Sequence, residues 1–251
     1  MFAQERLQAI KKVIRERQRL NFTELHRFIK VSPATLRRDL TELEKLGEII
    51  RVHGGVLDAH YLQSETTFDE RLLKNHTAKK LIAQKAALLV PPSSTIFIDA
   101  GSTCLEVGKI LIRRKDLRII THSIALVSAG VQGAAEILCM GGELRKVSGA
   151  LTGGTALGGF KDFYFDLAFV AASGLDPIEG CSTTELSEAE IKQMVLTRSK
   201  RKILLADITK WNKPSAFRFA KWSDFDEWIP DRSPSAKESQ FIHKSQVKIH
   251  S

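Results

Sequence analysis

The sequence has 251 residues, with 38 Lys and Arg against 29 Asp and Glu, a formal net charge of +9. That length suits a small domain joined to a medium one, and 43% hydrophobic with 27% charged residues excludes wholesale disorder. No apolar run approaches the ~20 residues of a membrane span, the charged, amphipathic N-terminus lacks a secretory core, and three scattered cysteines exclude a disulfide framework or cysteine zinc site.

The expectation is a soluble, cytoplasmic protein with no membrane partner, no metal and no cofactor. Its charge is uneven. Met1 to Gly55 holds 12 Lys and Arg against 7 Asp and Glu, and the remaining 196 residues hold 26 against 22. A basic module on a nearly neutral body is the footprint of a DNA-binding domain with a separate second function. A solvated helical face is the plainer explanation of the same charges.

In chain order, Leu7, Ile10, Val13 and Ile14 fall at helical spacing. A second helix opens at Asn21, which caps it while Glu24 reaches back in a capping box. After Lys30 and Val31, Ser32-Pro33 reads as an N-cap with proline at the first helical position. The third helix carries Leu36, Leu40, Leu43 and Leu46 on one face and stops at Gly47. Two short helices across so tight a turn make a helix-turn-helix, whose second helix enters the major groove. Glu48–Val52 followed by His53-Gly54-Gly55 begins a β-wing.

Thr35, Arg37 and Arg38 lie opposite the leucines, where forked guanidinium groups reach base edges or phosphates. Arg51 and His53 are expected in the wing beside the DNA backbone or minor groove. The candidate DNA-binding set is Asn21, Ser32, Pro33, Thr35, Arg37, Arg38, Arg51, His53 and Gly54.

The run Val31-Ser-Pro-Ala-Thr-Leu-Arg-Arg-Asp-Leu40, with Leu43, Gly47 and Arg51-Val-His-Gly-Gly55, resembles the winged helix-turn-helix signature of DeoR-type bacterial transcription regulators. This likeness covers the first 57 residues, and residues 2–57 are expected to form that domain. Residues 58–76 are mixed and polar and read as a linker.

Residues 77–251 are expected to bind an effector and to oligomerise. Ala78, Leu81, Ile82, Ala86 and Leu89 make a helical stripe, which Pro91-Pro92 stops. Strand-like runs follow at Thr95–Asp99, Leu117–Thr121, Glu136–Met140, Leu167–Ala171 and Lys202–Ala206, with helical stretches such as Cys104–Ile112 and Ser187–Ser199 between them. That alternation predicts a mainly parallel α/β sheet covered on both faces.

Ligands of such sheets lie beyond the carboxyl ends of the strands. Those positions hold Asp99, Gly101, Ser102 and Thr103, then Thr121 and His122, Gly141 and Gly142, Gly174, and Lys210. Glycine, hydroxyl groups and free amides at a helix N-terminus make an anion site, and their recurrence after successive strands points to a phosphorylated ligand. Ordinary capping and turn chemistry explains any one of them taken alone. The glycine-rich stretch Gly149–Gly159 lacks the endings of a P-loop or a dinucleotide fingerprint, and both are rejected.

Phe68-x-x-Arg71, Lys79, Asp99-x-Gly-Ser-Thr103, Gly141-Gly142, Asp166, Ser173-Gly-Leu-Asp176, Thr183-Thr184 and Asp207-x-x-Lys210 resemble the effector domain of the same DeoR family. The resemblance implies a fold similar to ribose-5-phosphate isomerase and coenzyme A transferases, used to sense a sugar phosphate. His122 departs from the asparagine usual there, which implies different local ligand contacts.

The expected function is a repressor of carbohydrate-metabolism genes. It binds double-stranded operator DNA as a homo-oligomer, dimer or tetramer, under control of a phosphorylated sugar, and it has no catalytic residue. Two alternatives stand beside it. One is a sugar-phosphate isomerase or CoA-transferase-like enzyme with a DNA-binding extension. The other is a nucleic-acid module whose second domain only oligomerises.

Overall fold

The computed structural model describes residues 3–17, 19–52, 55–58, 66–243 and 245–250. Its contacts divide the chain into two units, Met1–Glu65 and Thr66–Ser251.

The first unit contains α1 (Ala3–Arg17), β1 (Arg19–Asn21), α2 (Phe22–Ile29), α3 (Pro33–Lys45), β2 (Ile49–Val52) and β3 (Gly55–Asp58). Each helix turns one apolar stripe inward. Ile10 and Ile14, Leu25 and Ile29, and Leu36, Leu40 and Leu43 meet Leu20, Ile49 and Val56 in one small core. Lys30 makes the turn between α2 and α3 in the left-handed region, at φ 51° and ψ 44°. The strands form an antiparallel sheet in the order β1-β3-β2, so β2 and β3 are the wing. His53 and Gly54 lie outside the described residues. The short strand β1 was not foreseen.

The second unit begins with α4 (Phe68–Leu73) and α5 (His76–Ala87). The linker reading of residues 58–76 is therefore corrected over most of that stretch, because Asp58 ends β3 and Thr66 already belongs to the second unit. Thr67 and Glu70 start α4 with a capping box. The helix buries no residue fully, and only Phe68 and Leu72 turn toward the core, too short an apolar pattern to read as a helix.

Next come β4 (Thr95–Ile98), α6 (Ser102–Leu111), β5 (Arg118–Thr121), α7 (Ile124–Gly130) and β6 (Glu136–Cys139), then the hairpin β7 (Glu143–Arg145) and β8 (Ala150–Thr152). The glycine-rich stretch contributes α8 (Gly153–Phe160), where burial of Ala156 and Phe160 overrides the poor helix propensity of glycine. The chain continues through β9 (Phe165–Ala171), β10 (Gly174–Asp176), β11 (Gly180–Thr183), α9 (Leu186–Thr197), β12 (Ser199–Leu205), β13 (Phe217–Ala220), β14 (Glu227–Ile229), α10 (Ala236–His243) and β15 (Lys248–Ile249).

Seven of these strands form one sheet in the order β15-β14-β12-β9-β4-β5-β6. Every pairing in it is parallel. Such a sheet is buried on both faces. Ile82, Leu105, Leu111 and Leu126 from α5, α6 and α7 cover one face. Phe160, Ile191, Val195, Phe219 and Trp222 cover the other, with a small antiparallel sheet β10-β11-β13 outside them. From β4 the chain moves outward through β5 to β6, then returns to β9 on the other side of β4 and moves outward again. The order reverses between β4 and β9, and a crevice is expected at the carboxyl ends of those two strands.

Candidate functional site

In the first unit, Ser32 Oγ accepts a hydrogen bond from Thr35 N at 3.2 Å and lies 2.8 Å from Thr35 Oγ1, and Pro33 occupies the first turn of α3. Asn21 Oδ1 accepts from Glu24 N at 2.8 Å while Glu24 Oε2 accepts from Asn21 N at 2.9 Å. These residues fix where α2 and α3 begin, and Ser32, Pro33, Arg37 and Arg38 are exposed. The Arg37 guanidinium lies 5.2 Å from the Phe22 ring centroid.

Arg51 lies in the wing strand β2 and is exposed. Its Nη2 donates to Arg37 O at 2.9 Å and to Thr41 Oγ1 at 2.6 Å, and its Nε lies 3.2 Å from Glu44 Oε2. These bonds fold it back from β2 onto α3 as a brace. The clamp behind α3 was missed. Arg6 donates through Nε at 2.5 Å and Nη2 at 3.0 Å to the two carboxylate oxygens of buried Asp39, tying α1 to α3. Asp39 is thus the structural member of the Arg-Arg-Asp run, and the two arginines before it stay on the surface.

In the second unit a cleft of about 660 Å³, counted to its open mouth, lies at the β4/β9 reversal. The ends of both strands line it, Ala100 to Thr103 from one and Ala171 to Ser173 from the other. Asp207 and Lys210 enter after β12, Thr183 from β11, Glu188 and Lys192 from α9, and Thr66, Arg71, Lys74, Asn75 and Lys79 from the start of the unit.

Of the predicted ligand residues, Gly101, Ser102, Thr103 and Lys210 line the cleft together. Gly101 precedes α6 with no side-chain cap, which leaves the first amides of the helix for a ligand. A Cβ on Gly101 would stand 2.8 Å from Ala171 Cβ, so glycine is what lets the ends of β4 and β9 come this close.

The other predicted residues do not line it. Asp99 is 1% exposed. Its Oδ1 lies 3.1 Å from His122 Nε2, and its Oδ2 accepts from Ala171 N at 2.9 Å and from Lys192 Nζ. Both oxygens are taken by the protein, so the expectation that Asp99 is a ligand residue is corrected: it is the buried floor beneath the cleft. Burial works to raise this carboxyl, but the Lys192 ammonium and the His122 ring outweigh it and hold Asp99 well below the usual carboxylate range.

His122 is fully buried and donates from Nδ1 to Leu151 O at 3.0 Å. A neutral ring then accepts at Nε2 from Ala100 N, 3.2 Å away, and a protonated ring donates to Asp99 instead. Thr121 donates to Ile98 O at 2.6 Å within the sheet. Gly141 and Gly142 follow β6 in an exposed stretch away from the cleft. Gly174 starts β10, where a Cβ would strike Lys213 O at 2.0 Å, so it serves strand packing.

Sequence reasoning missed the cationic wall. Lys79 Nζ donates to Lys74 O at 2.6 Å and to Arg71 O, which closes the end of α4. Burial lowers Lys79 to about 8; Asp207 opposes the fall, and Lys210 and Arg71 add to it. Lys210 is also lowered, first by burial, with Asp207 opposing and Lys74 and Arg71 adding. Among the described residues no carboxylate lies within ion-pair distance of Lys210 Nζ. Arg71 Nε is buried without a hydrogen-bond partner among them. Several cations converge here with fewer anions than they need. The available signal was Phe68-x-x-Arg71 and Lys79, noted as matching features but set in or beside a supposed linker.

The DeoR-like helix-turn-helix domain model matches residues 6–60. The DeoR C terminal sensor domain model matches residues 74–232, more than half of the chain. The chain belongs to the DeoR family. It is 29% identical over 249 residues to the HTH-type transcriptional regulator GlpR of Haloferax volcanii, covering 99% of this chain and 98% of the relative. It is 33% identical over 235 residues to the lactose phosphotransferase system repressor of Streptococcus mutans, covering 92% and 93%. Ribose 5-phosphate isomerase A from Methanocaldococcus jannaschii shows a partial likeness, with TM-score 0.39, 17% identity and 56% of each chain covered. As a DeoR-family member the protein is a DNA-binding transcriptional regulator. Among the described residues no helix is long and apolar enough to cross a membrane.

Proposed function

We propose that this DeoR-family regulator is a repressor of carbohydrate-metabolism genes whose operator affinity is set by a phosphorylated sugar or related metabolite held in the cleft of the second unit. The observation that carries this reading is Lys210, which lines the cleft together with the uncapped start of α6, is lowered by burial and like charges, and has no ion-pair partner among the described residues. A phosphate dianion supplies the missing charge and accepts from the amides and hydroxyls of Ser102 and Thr103. Ser173, on the same wall, would bond a sugar hydroxyl. Relatives named as regulators and as a phosphotransferase system repressor fit this reading.

On DNA, α3 is the reading helix, with Arg37 and Arg38 as its base or phosphate contacts and Ser32, Pro33 and Thr35 at its leading end. One such domain spans few base pairs, so the active form is a homo-oligomer, dimer or tetramer, built by the second unit and reading half-sites about 34 Å apart or multiples of that.

A thermal-shift screen over hexose and pentose phosphates tests the sensor, since a ligand that binds only the folded state adds about 2.7 kcal/mol at 100 times its Kd. Lys210→Ala is expected to abolish that shift and the effector response while keeping operator affinity. Gly101→Val is the poorer probe, because the clash with Ala171 damages packing as well. Full effector response in folded Lys210→Ala removes the cleft as sensor. Light scattering that shows a monomer at operator-saturating concentration removes the oligomer. Isomerisation of pentose phosphates at ordinary enzymatic rates overturns the regulator-only reading.

A further inference from the structure

The corner between α4 and α5 has features that an ordinary helix–helix turn does not need. Asn75 sits in the left-handed region at φ 54°, and its Nδ2 donates to Asp207 Oδ1 at 3.3 Å and to Thr209 Oγ1 at 3.0 Å. That pair ties the corner to the loop after β12, the loop that carries Lys210. Lys79, one turn into α5, spends its ammonium on the carbonyls of Arg71 and Lys74. The carbonyl end of a helix attracts a cation, so Lys79 holds α4 in place by its exposed end.

Asp69 and Glu70 of α4 do not line the cleft, and what its cleft side offers, with the residue that follows it, is positive charge. Arg71 lines the cleft with its Nε buried and unpartnered among the described residues, and its other recorded contacts are weak. Nη2 reaches Val147 O only at 3.4 Å, and the guanidinium lies 5.9 Å from the Phe68 ring centroid. Lys74 lines the same cleft. Arg71 and Lys74 both push against Lys210 from across it. α4 is thus six residues long, buries no side chain fully, and faces like charge.

We propose that Arg71 and Lys74 are anion-binding residues of the effector site, positioned by Lys79, and that a bound phosphate fastens α4 to the walls of the cleft formed by α6 and the loop after β12. The inference rests on the reading of the cleft as a phosphate site and adds to it the residues that transmit occupancy. With no anion, Arg71, Lys74 and Lys210 repel, and that repulsion works against the packing of Phe68 and Leu72 on the core and the ties made by Lys79 and Asn75. A dianion turns that repulsion into attraction shared among three cations. The ligand then differs in affinity between the fastened and unfastened states of α4, and a difference of that kind is what coupling to DNA affinity requires.

The test is hydrogen exchange on the full chain with and without inorganic phosphate, repeated with the sugar phosphate that gives the largest thermal shift. Wild-type amides in residues 68–75 should exchange about tenfold more slowly with anion bound. Arg71→Gln should keep a reduced thermal shift, through Lys210 and α6, but lose the added protection of α4. Arg71→Lys, which restores the charge but not the fork, should recover part of it. Lys79→Met should lower protection of α4 even without anion, and circular dichroism on each variant guards against misfolding. If anion raises the melting temperature while exchange in residues 68–75 stays unchanged, α4 is not fastened and this inference falls while the phosphate site stands. If no thermal shift appears with phosphate or any sugar phosphate, the site itself falls and this inference with it.

Discussion

In residues 1–65 the arginines of α3 stand on the surface, whereas in residues 66–251 the charged groups that matter most lie in or under a cleft. Arg37 and Arg38 are exposed, and the apolar residues behind them carry the fold of their helix. Asp99 and Lys192 are buried together, and Lys210 and Lys79 are lowered by burial. A DNA-binding surface meets a long polyanion from outside and keeps its cations hydrated until then. A small-molecule cleft holds its cations partly desolvated before the ligand arrives, at a cost in stability. Substitutions in the first unit should therefore change binding more than folding, and those in the second should change both.

The largest expected effect is at the floor of the cleft. Asp99→Asn leaves the Lys192 ammonium buried without its carboxylate, and loss of one partner of a buried pair costs about 3–5 kcal/mol. Because Asp99 is held below the usual range, its contribution is present at neutral pH and disappears as pH falls below about 3.9 toward the folded value. Urea unfolding of wild type and variant at neutral and acid pH should show the gap closing in acid. A gap that persists unchanged in acid means the effect is packing rather than charge.

On the DNA side, Arg38→Ala should weaken operator binding by about 1–3 kcal/mol and leave unfolding within about 0.5 kcal/mol of wild type. Arg37 shares its guanidinium with the Phe22 ring, so its substitution should cost folding slightly more. Binding titrations at several salt concentrations separate the roles. A phosphate contact weakens all sequences equally and lowers the salt slope, and a base contact does neither. Equal damage to folding and binding by Arg38→Ala breaks the contrast between the units.

How much of this was legible in the sequence follows the same division. The first unit writes itself locally: Asn21 with Glu24, Ser32 with Pro33, and leucines every three or four residues each act within a turn or two of the chain. The parallel sheet was legible for a related reason, since its strands are short apolar runs between helices. The cleft was legible only in part. Gly101 to Thr103 and Lys210 follow strands, and position after a strand is a local feature. Arg71, Lys74 and Lys192 reach the cleft from helices far away in sequence, and nothing near them marks their destination. Conversely, Asp99 occupies the expected place after β4 but points to Lys192, 93 residues on, which no spacing rule reveals. Arg51 and Arg6 were obscured in the same way, because their partners on α3 are set by packing.

A smaller effect of opposite sign is expected at the cleft wall. Lys210 is an ammonium lowered first by burial, with Asp207 opposing and Lys74 and Arg71 adding to the fall. Replacing it with a neutral side chain of similar length removes an unfavourable charge from the empty protein. Lys210→Met should therefore raise stability by about 0.5–2 kcal/mol, the range common when a functional residue is exchanged for a stable one. The same variant should lose the thermal shift given by sugar phosphates. Calorimetry with and without ligand checks both parts, and a Lys210→Met protein less stable than wild type would show that the amine supports the fold.

The smallest effect sharpens the comparison most, because it asks whether the cleft's cations titrate as desolvated groups. Lys79 is lowered from 10.5 to about 8, first by burial, with Lys210 and Arg71 adding and Asp207 and Glu106 opposing. Between those two values the unfolded chain holds the proton that the folded chain has released, so stability due to this residue rises with pH over that interval. Wild type should gain on Lys79→Met as pH climbs from 7 to 9.5, by about half a kcal/mol once screening by solvent at the cleft mouth is allowed for. Taking the difference between the two proteins cancels titrations elsewhere in the chain. Unfolding midpoints across that range measure it. If Lys79 gives a flat line, its ammonium is as well hydrated as a surface lysine, and the electrostatic contrast between the two units disappears at that position.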